Sequence, residues 1–301
     1  MDHRSATHAV VEAPDVDLGP STKFGQFHHR PKHLGVRSFA VAYAGRVFEI
    51  STLLDSEWKV DGQTTWRSEV GGFSRKSRMR LMKLCASIPW DLFDTRLFLT
   101  LTYPDEYPTD GRIVKRHLAA FRRRFERHYG KQAVVWKLEF QRRGAPHLHF
   151  VASVPVGTNL SDFRSWFSSA WFEIVGSGDL RHLLAGTQAQ VAETDCGKYF
   201  AYGVKSTGSK EYQNQVPEGF EGVGRFWGSW NVKPEWRGAE ITAGDFVELR
   251  RRMCAWSKSR GGYVPRRSRV QGGWMLTEGR SAGLVLAQLA RGLPSVERVV
   301  A

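Results

Sequence analysis

At 301 residues, with 41% hydrophobic and 12% aromatic side chains, the chain can form one full domain with extensions or two small ones, each with a real core. Lys and Arg total 44 against 30 acidic residues, a formal charge of +14, which points to a polyanionic partner such as nucleic acid. Cys85, Cys196 and Cys254 form no CxxC pair, no apolar run reaches bilayer length and residues 1–15 lack a signal-peptide core, which excludes zinc ribbons, disulfide scaffolds and membrane spans and sets the expectation of a soluble, cytoplasmic protein with no membrane partner.

Residues 1–35 are polar, rich in His and Pro and without period, and read as a flexible arm. An N-terminal extension over 36–95 follows. In it the run SFAVAYAGRVFEI at 38–50 alternates like a strand or hairpin, and Ser74 can cap a basic helix over 74–87. RLFLTLTY at 96–103 is a strand stopped by Pro104. Asp110 caps a helix over 112–129 whose apolar stripe is Val114, Leu118, Phe121 and Phe125. Arg122, Arg123, Arg124 and Arg127 lie largely off that stripe, as a solvated face or as DNA contacts. AVVWKLEF at 133–140 is a second strand, QRRGAP a turn, and HLHFVASV at 147–154 a third strand. Ser161 caps a second helix carrying Phe163, Trp166, Phe167, Ala170 and Trp171, with both tryptophans in the core. A short fourth strand at 187–193 leads into a third helix, capped by Asp195 and ending before Gly208.

This β-α-β-β-α-β order plus a helix, over 96–208, predicts an α+β, ferredoxin-like (RRM-like) fold with a four- to five-stranded antiparallel sheet. Both crossover helices cover one face, the first and third strands are central, and the other face is left free for a ligand. The segment 209–260 is Gly-rich and aromatic (Phe220, Phe226, Trp227, Trp230, Trp236), more in the manner of an accessory core than of a base-stacking platform, and ends in a basic helix near 243–258. Residues 261–301 read as a mostly flexible tail with a short apolar helix at 281–291.

His147 and His149 flank Leu148 on one strand, so period 2 sets both imidazoles on one face, about 6–7 Å apart at their Cα atoms. If the turn centres on Arg143, position 139 pairs with 147 and Glu139 stands across from His147 on that face. Two imidazoles and a carboxylate with open positions make a catalytic arrangement, suited to Mn²⁺ or Mg²⁺ acting on a phosphate and acceptable to Zn²⁺. Val151 stands where a histidine-triad nucleotide hydrolase needs another His, and no second motif of the two-histidine phosphoesterase form is present. Further on, in CGKYFAYGVKSTG, Tyr199 and Tyr202 are i and i+3 on the expected helix and Lys205 is i+3 again. A phenol, with a pKa near ~10, needs a cation and a polarised phosphorus to attack at neutral pH. Lys205 can supply the first and the metal the second.

In that order, FLTLTY (98–103), PHLHF (146–150) and YFAYGVK (199–205) resemble the three motifs of HUH-class rolling-circle replication initiators of the phage and plasmid type. FSRKSRMRL (73–81) and GRFWGSW (224–230) are also similar to stretches of that group, so the resemblance covers about residues 70–232. It implies a sequence-specific, single-strand DNA endonuclease that nicks and later rejoins an origin. His147 and His149 resemble the metal-binding pair and Glu139 the acidic ligand for a divalent ion, Mg²⁺ or Mn²⁺. Tyr202 resembles the nucleophile, with Lys205 assisting, leaving a 5′-phosphotyrosine and a 3′-OH that primes synthesis. Two-tyrosine members space their pair by four, whereas Tyr199 and Tyr202 are three apart, so a strand-transfer role for Tyr199 is left open. The implied partners are single-stranded or hairpin origin DNA and a host polymerase, and a host helicase because no GxxxxGK[ST] loop is present. The alternatives are an HUH-type single-strand transposase, a non-enzymatic single-strand binder with a vestigial site, and a metal nuclease that uses water in place of tyrosine.

Overall fold

The computed structural model describes residues 10–11, 36–43, 47–54, 70–90, 93, 95–192, 211–259, 273–276 and 282–300. In chain order the elements are β1 (Val10–Val11), β2 (Val36–Tyr43), β3 (Val47–Leu54), α1 (Arg75–Ser87), β4 (Arg96–Thr102), α2 (Gly111–Tyr129), β5 (Val134–Phe140), β6 (Pro146–Ser153), α3 (Leu160–Val175), α4 (Leu180–Ala185), β7 (Thr187–Val191), β8 (Trp227–Trp230), β9 (Trp236–Ile241), α5 (Ala243–Ser259), β10 (Gly273–Leu276), α6 (Ala282–Ala290) and α7 (Pro294–Val300). The helix expected after Asp195, with Tyr199, Tyr202 and Lys205, lies outside the described residues.

The chain divides into two units, one over residues 64–233 and one made of residues 1–63 with 234–301. In the first, five antiparallel strands run in the order β7-β4-β6-β5-β8. The first four in sequence thus take the ferredoxin-like order with β4 and β6 central, as expected, and β8 extends the sheet beside β5. Leu97, Leu99 and Leu101 of β4 alternate with Phe98, Thr100 and Thr102, which divides the strand between two faces. On the leucine side the expected stripe of α2, Val114, Leu118, Phe121 and Phe125, is buried together with Phe163, Phe167, Ala170 and Trp171 of α3. Phe121 meets Phe150 of β6, Phe167 of α3 and Trp230 of β8 at ring centroid distances of 5.5, 5.6 and 6.4 Å. Trp171 is fully buried, whereas Trp166 is only half-buried and stacks on His128.

Local chemistry sets the boundaries. Ser74 Oγ accepts from the Ser77 N–H and Asp110 from the Arg112 N–H, so both expected caps are in place. Asn159, not Ser161, caps α3: its side chain accepts from the N–H groups of Ser161 and Asp162, which puts Ser161 inside the first turn. The short helix α4 has too few residues for a 3.6-residue period to show and was not expected from sequence. Between β5 and β6, Gly144 takes φ +85°, a conformation open to glycine, and the Gln141 N–H donates to the Ala145 carbonyl to close the turn.

The face expected to be free is partly covered. Val135 and Val151 share it with His149 by period 2, yet both are fully buried in one core with Leu81 and Cys85 of α1. Phe226 and Trp230 are buried in the same core, in line with an accessory packing role.

The second unit joins both ends of the chain. Its antiparallel order is β1-β10-β3-β2-β9. Ala40, Ala42, Ile50 and Ile241 pack with Phe246, Leu249 and Met253 of α5, Leu286 and Leu289 of α6 and Val296 and Val299 of α7. This differs from the division read from sequence. The hairpin at 36–54 pairs with β9 rather than with the basic helix that follows it, and much of 261–301, taken as mostly flexible, is β10, α6 and α7. A four-residue strand has no period to display, and it becomes a strand because β3 offers a free edge.

Candidate metal centre

The hairpin register pairs Glu139 with His147 and Lys137 with His149, and β4 sets Thr102 across from His147 and Thr100 across from His149. All six side chains therefore stand on one face of three adjacent strands. The expected pairing of 139 with 147 about Arg143 is the pairing observed.

The two imidazole rings lie 4.5 Å apart between centroids and nearly perpendicular. Nδ1 of His147 is 3.0 Å from Thr102 Oγ1, and Nδ1 of His149 is 3.1 Å from Thr100 Oγ1. Phe98 stacks on His149 with centroids 5.4 Å apart. His149 Nε2 faces Glu139 Oε2 at 3.4 Å, while the other carboxylate oxygen accepts from Lys137 Nζ at 2.5 Å. Lys137 is almost wholly enclosed, 1% exposed, with its ammonium over the Phe73 ring.

Burial by itself would raise the Glu139 pKa. The hydrogen bond from His149 and the charge of Lys137 outweigh it and hold the carboxyl at about 2. Burial, with the nearby His149, lowers His147 to about 4, so its imidazole is neutral and able to donate a lone pair at physiological pH. Burial likewise lowers Lys137 from its ordinary value against the pull of Glu139.

Two imidazoles and a carboxylate are a donor set that a divalent ion accepts. In residue type and register they fit. In this conformation the Glu139 carboxylate is turned to Lys137 and His149, and among the described residues no three His, Cys, Asp or Glu side chains close on a common point that would hold a metal ion.

The hairpin turn is tied to the loop after β4. Arg143 donates to the carbonyls of Tyr103 (2.7 Å) and Pro104 (2.8 Å) and to Gln141 Oε1 (3.0 Å), and Tyr107 donates its hydroxyl to the Arg143 carbonyl. Two arginines of α2 form ion pairs in the helical layer. Arg122 pairs with Glu126 and Arg124 with Glu173.

The family of replication-associated proteins of the ORF2 type matches residues 96–211. A replication-associated protein of Pseudomonas phage Pf3 is 33% identical over 202 residues, covering 63% of this chain and 69% of that protein. A protein of Xylella fastidiosa (strain 9a5c), provisionally named for replication, is 30% identical over 239 residues, covering 73% of this chain and 74% of its own length. This chain belongs to that replication-associated protein family. No solved structure matches it.

The family match begins at the first residue of β4 and takes in the whole four-stranded core with the segment of Tyr199, Tyr202 and Lys205. The expected kinship with phage- and plasmid-type replication proteins therefore holds. No described helix of this replication-associated protein is long and apolar enough to cross a membrane. Four side chains at the site went unread in the sequence: Thr100, Thr102, Lys137 and Arg143. Period 2 carried the signal for three of them. Thr100 and Thr102 alternate with Leu99 and Leu101, and Lys137 stands two before Glu139.

Proposed function

We propose that this protein initiates rolling-circle DNA replication by nicking one strand at an origin and staying joined to it through Tyr202. The observation that carries the reading is the register that puts Glu139, His147 and His149 on one sheet face, in a chain whose family is replication-associated. A divalent ion, Mg²⁺ or Mn²⁺, held by these three residues would polarise the scissile phosphate. The +14 charge holds single-stranded or hairpin DNA through salt-sensitive phosphate contacts. Tyr202 attacks phosphorus in line: its Oη–P bond forms as the P–O3′ bond breaks, the phenol gives up its proton and the 3′ oxygen gains one. Lys205, one helical turn on in the expected helix, favours the phenolate. The 3′-OH primes a host polymerase, a host helicase unwinds the duplex, and reversal of the same exchange rejoins the strand. Such work places the protein with its DNA in the cytoplasm.

The test is incubation of the purified protein with labelled single-stranded origin DNA and Mn²⁺, followed by a denaturing gel. A protease-sensitive protein–DNA adduct is expected, lost with EDTA, in His147→Ala and in Tyr202→Phe. Cleavage without an adduct would replace tyrosine by water as nucleophile, and binding without cleavage would reduce the protein to a binding module.

A further inference from the structure

The motif FLTLTY has no part in the chemistry above, yet its strand touches both histidines. Thr100 Oγ1 lies 3.1 Å from His149 Nδ1 and Thr102 Oγ1 lies 3.0 Å from His147 Nδ1. An imidazole engaged at one nitrogen by a fixed oxygen keeps its ring plane and leaves the other nitrogen for coordination. We propose that Thr100 and Thr102 are positioning residues that hold the two imidazoles through Nδ1 and thereby make Nε2 the metal-facing nitrogen of each. This rests on the metal reading of the site given above.

Thr102 is itself fixed from the helical layer. Its N–H donates to the Gly186 carbonyl at 2.8 Å, and its carbonyl accepts from Trp171 Nε1 at 2.8 Å and from His182 Nε2 at 3.0 Å. With Nε2 as the donor, His182 Nδ1 accepts from the Ser177 hydroxyl at 2.9 Å. Trp171 and His182 are both buried, so they set the height of Thr102 in the sheet, and Thr102 sets His147. On the other histidine, Phe98 of the same strand stacks flat against the ring that Thr100 holds. The choice of threonine follows. Its β-branch restricts χ1 and so aims the hydroxyl, whereas valine would fill the same pleat without an oxygen. When a cation takes the Nε2 lone pair, displacing the contact of His149 Nε2 with Glu139, Nδ1 carries the proton and the threonine oxygen accepts it.

The experiment is titration of the full chain with MnCl₂ by calorimetry, for the unaltered protein, Thr100→Val, Thr102→Val and the corresponding serine variants. Each valine variant is expected to bind Mn²⁺ about 10- to 100-fold more weakly, and each serine variant to bind like the unaltered chain. Histidine ¹⁵N shifts of the Mg²⁺-saturated protein should show protonated Nδ1 on both rings, with Nε2 unprotonated. Valine variants that bind Mn²⁺ as tightly as the unaltered chain would overturn the proposal and leave the metal reading standing, as would Nε2-protonated rings. An unaltered chain that takes up no Mn²⁺ would overturn both. The two threonines are replaced separately, so a variant that fails to fold leaves the other to decide.

Discussion

Lys137→Met would remove the ammonium that sits 2.5 Å from Glu139 Oε1, where the two side chains are 1% and 9% exposed. Methionine fills nearly the same volume over Phe73, so little packing is lost. What remains is a buried carboxylate whose nearest polar partner is His149 Nε2, at 3.4 Å. Stranding one member of a buried ion pair costs about 3–5 kcal/mol, a large share of a domain's usual ~5–15 kcal/mol. Replacing both members, in Lys137→Met with Glu139→Leu, should return the chain to within about 1–2 kcal/mol of its original stability, because neither charge is then left behind. Urea unfolding at pH 8, followed by tryptophan fluorescence, measures both. The single variant should also recover part of its loss at pH 5, where an unpaired carboxyl of raised pKa takes up a proton. A single variant as stable as the parent, or a double variant as unstable as the single, would refute the view that Lys137 neutralises Glu139.

Acid should weaken the fold in two windows. His147 titrates near 4 in the folded chain against 6.5 ordinarily, so between those values the unfolded chain binds more protons and stability falls as pH drops. Glu139, held at about 2 against 4.5, contributes stability above pH 4.5 that is lost as pH falls through 2. Melting curves from pH 8 to 4 should show the first loss, about 1–3 kcal/mol, and His147→Gln should flatten it. Gly186→Ala would set a Cβ 2.5 Å from the His182 carbonyl oxygen and hard against its imidazole ring, and overpacking of that kind should cost about 1–3 kcal/mol in a thermal melt. Asn159→Ala removes the cap of α3 and should lower stability by about 1 kcal/mol, with Asn159→Asp nearly neutral.

Much of this protein is legible in its sequence. The apolar stripe Val114, Leu118, Phe121 and Phe125 and the alternation in RLFLTLTY are periods, and a period is a local property that a helix or strand must satisfy whatever it packs against. The pairing of Glu139 with His147 was legible for the same reason, since a short turn leaves a hairpin little choice of register. What the line of residues could not carry was the partner across space. Lys137 reads as an ordinary polar position in a strand until the burial around it turns it into the counter-ion of Glu139. Thr100 and Thr102 become supports for histidines 49 and 45 residues away only because β4 and β6 are neighbours. Strands β2, β3, β9 and β10 form one sheet because strands from both ends of the chain supply each other's missing hydrogen bonds, and such pairing leaves no mark on either segment alone. Sequence determined the elements of the 96–191 core other than α4, and the hairpin that bears the histidines. Tertiary structure alone decided which charge lies beside Glu139 and what holds each imidazole, because hydrogen bonds and Coulomb forces act between atoms that the chain keeps far apart.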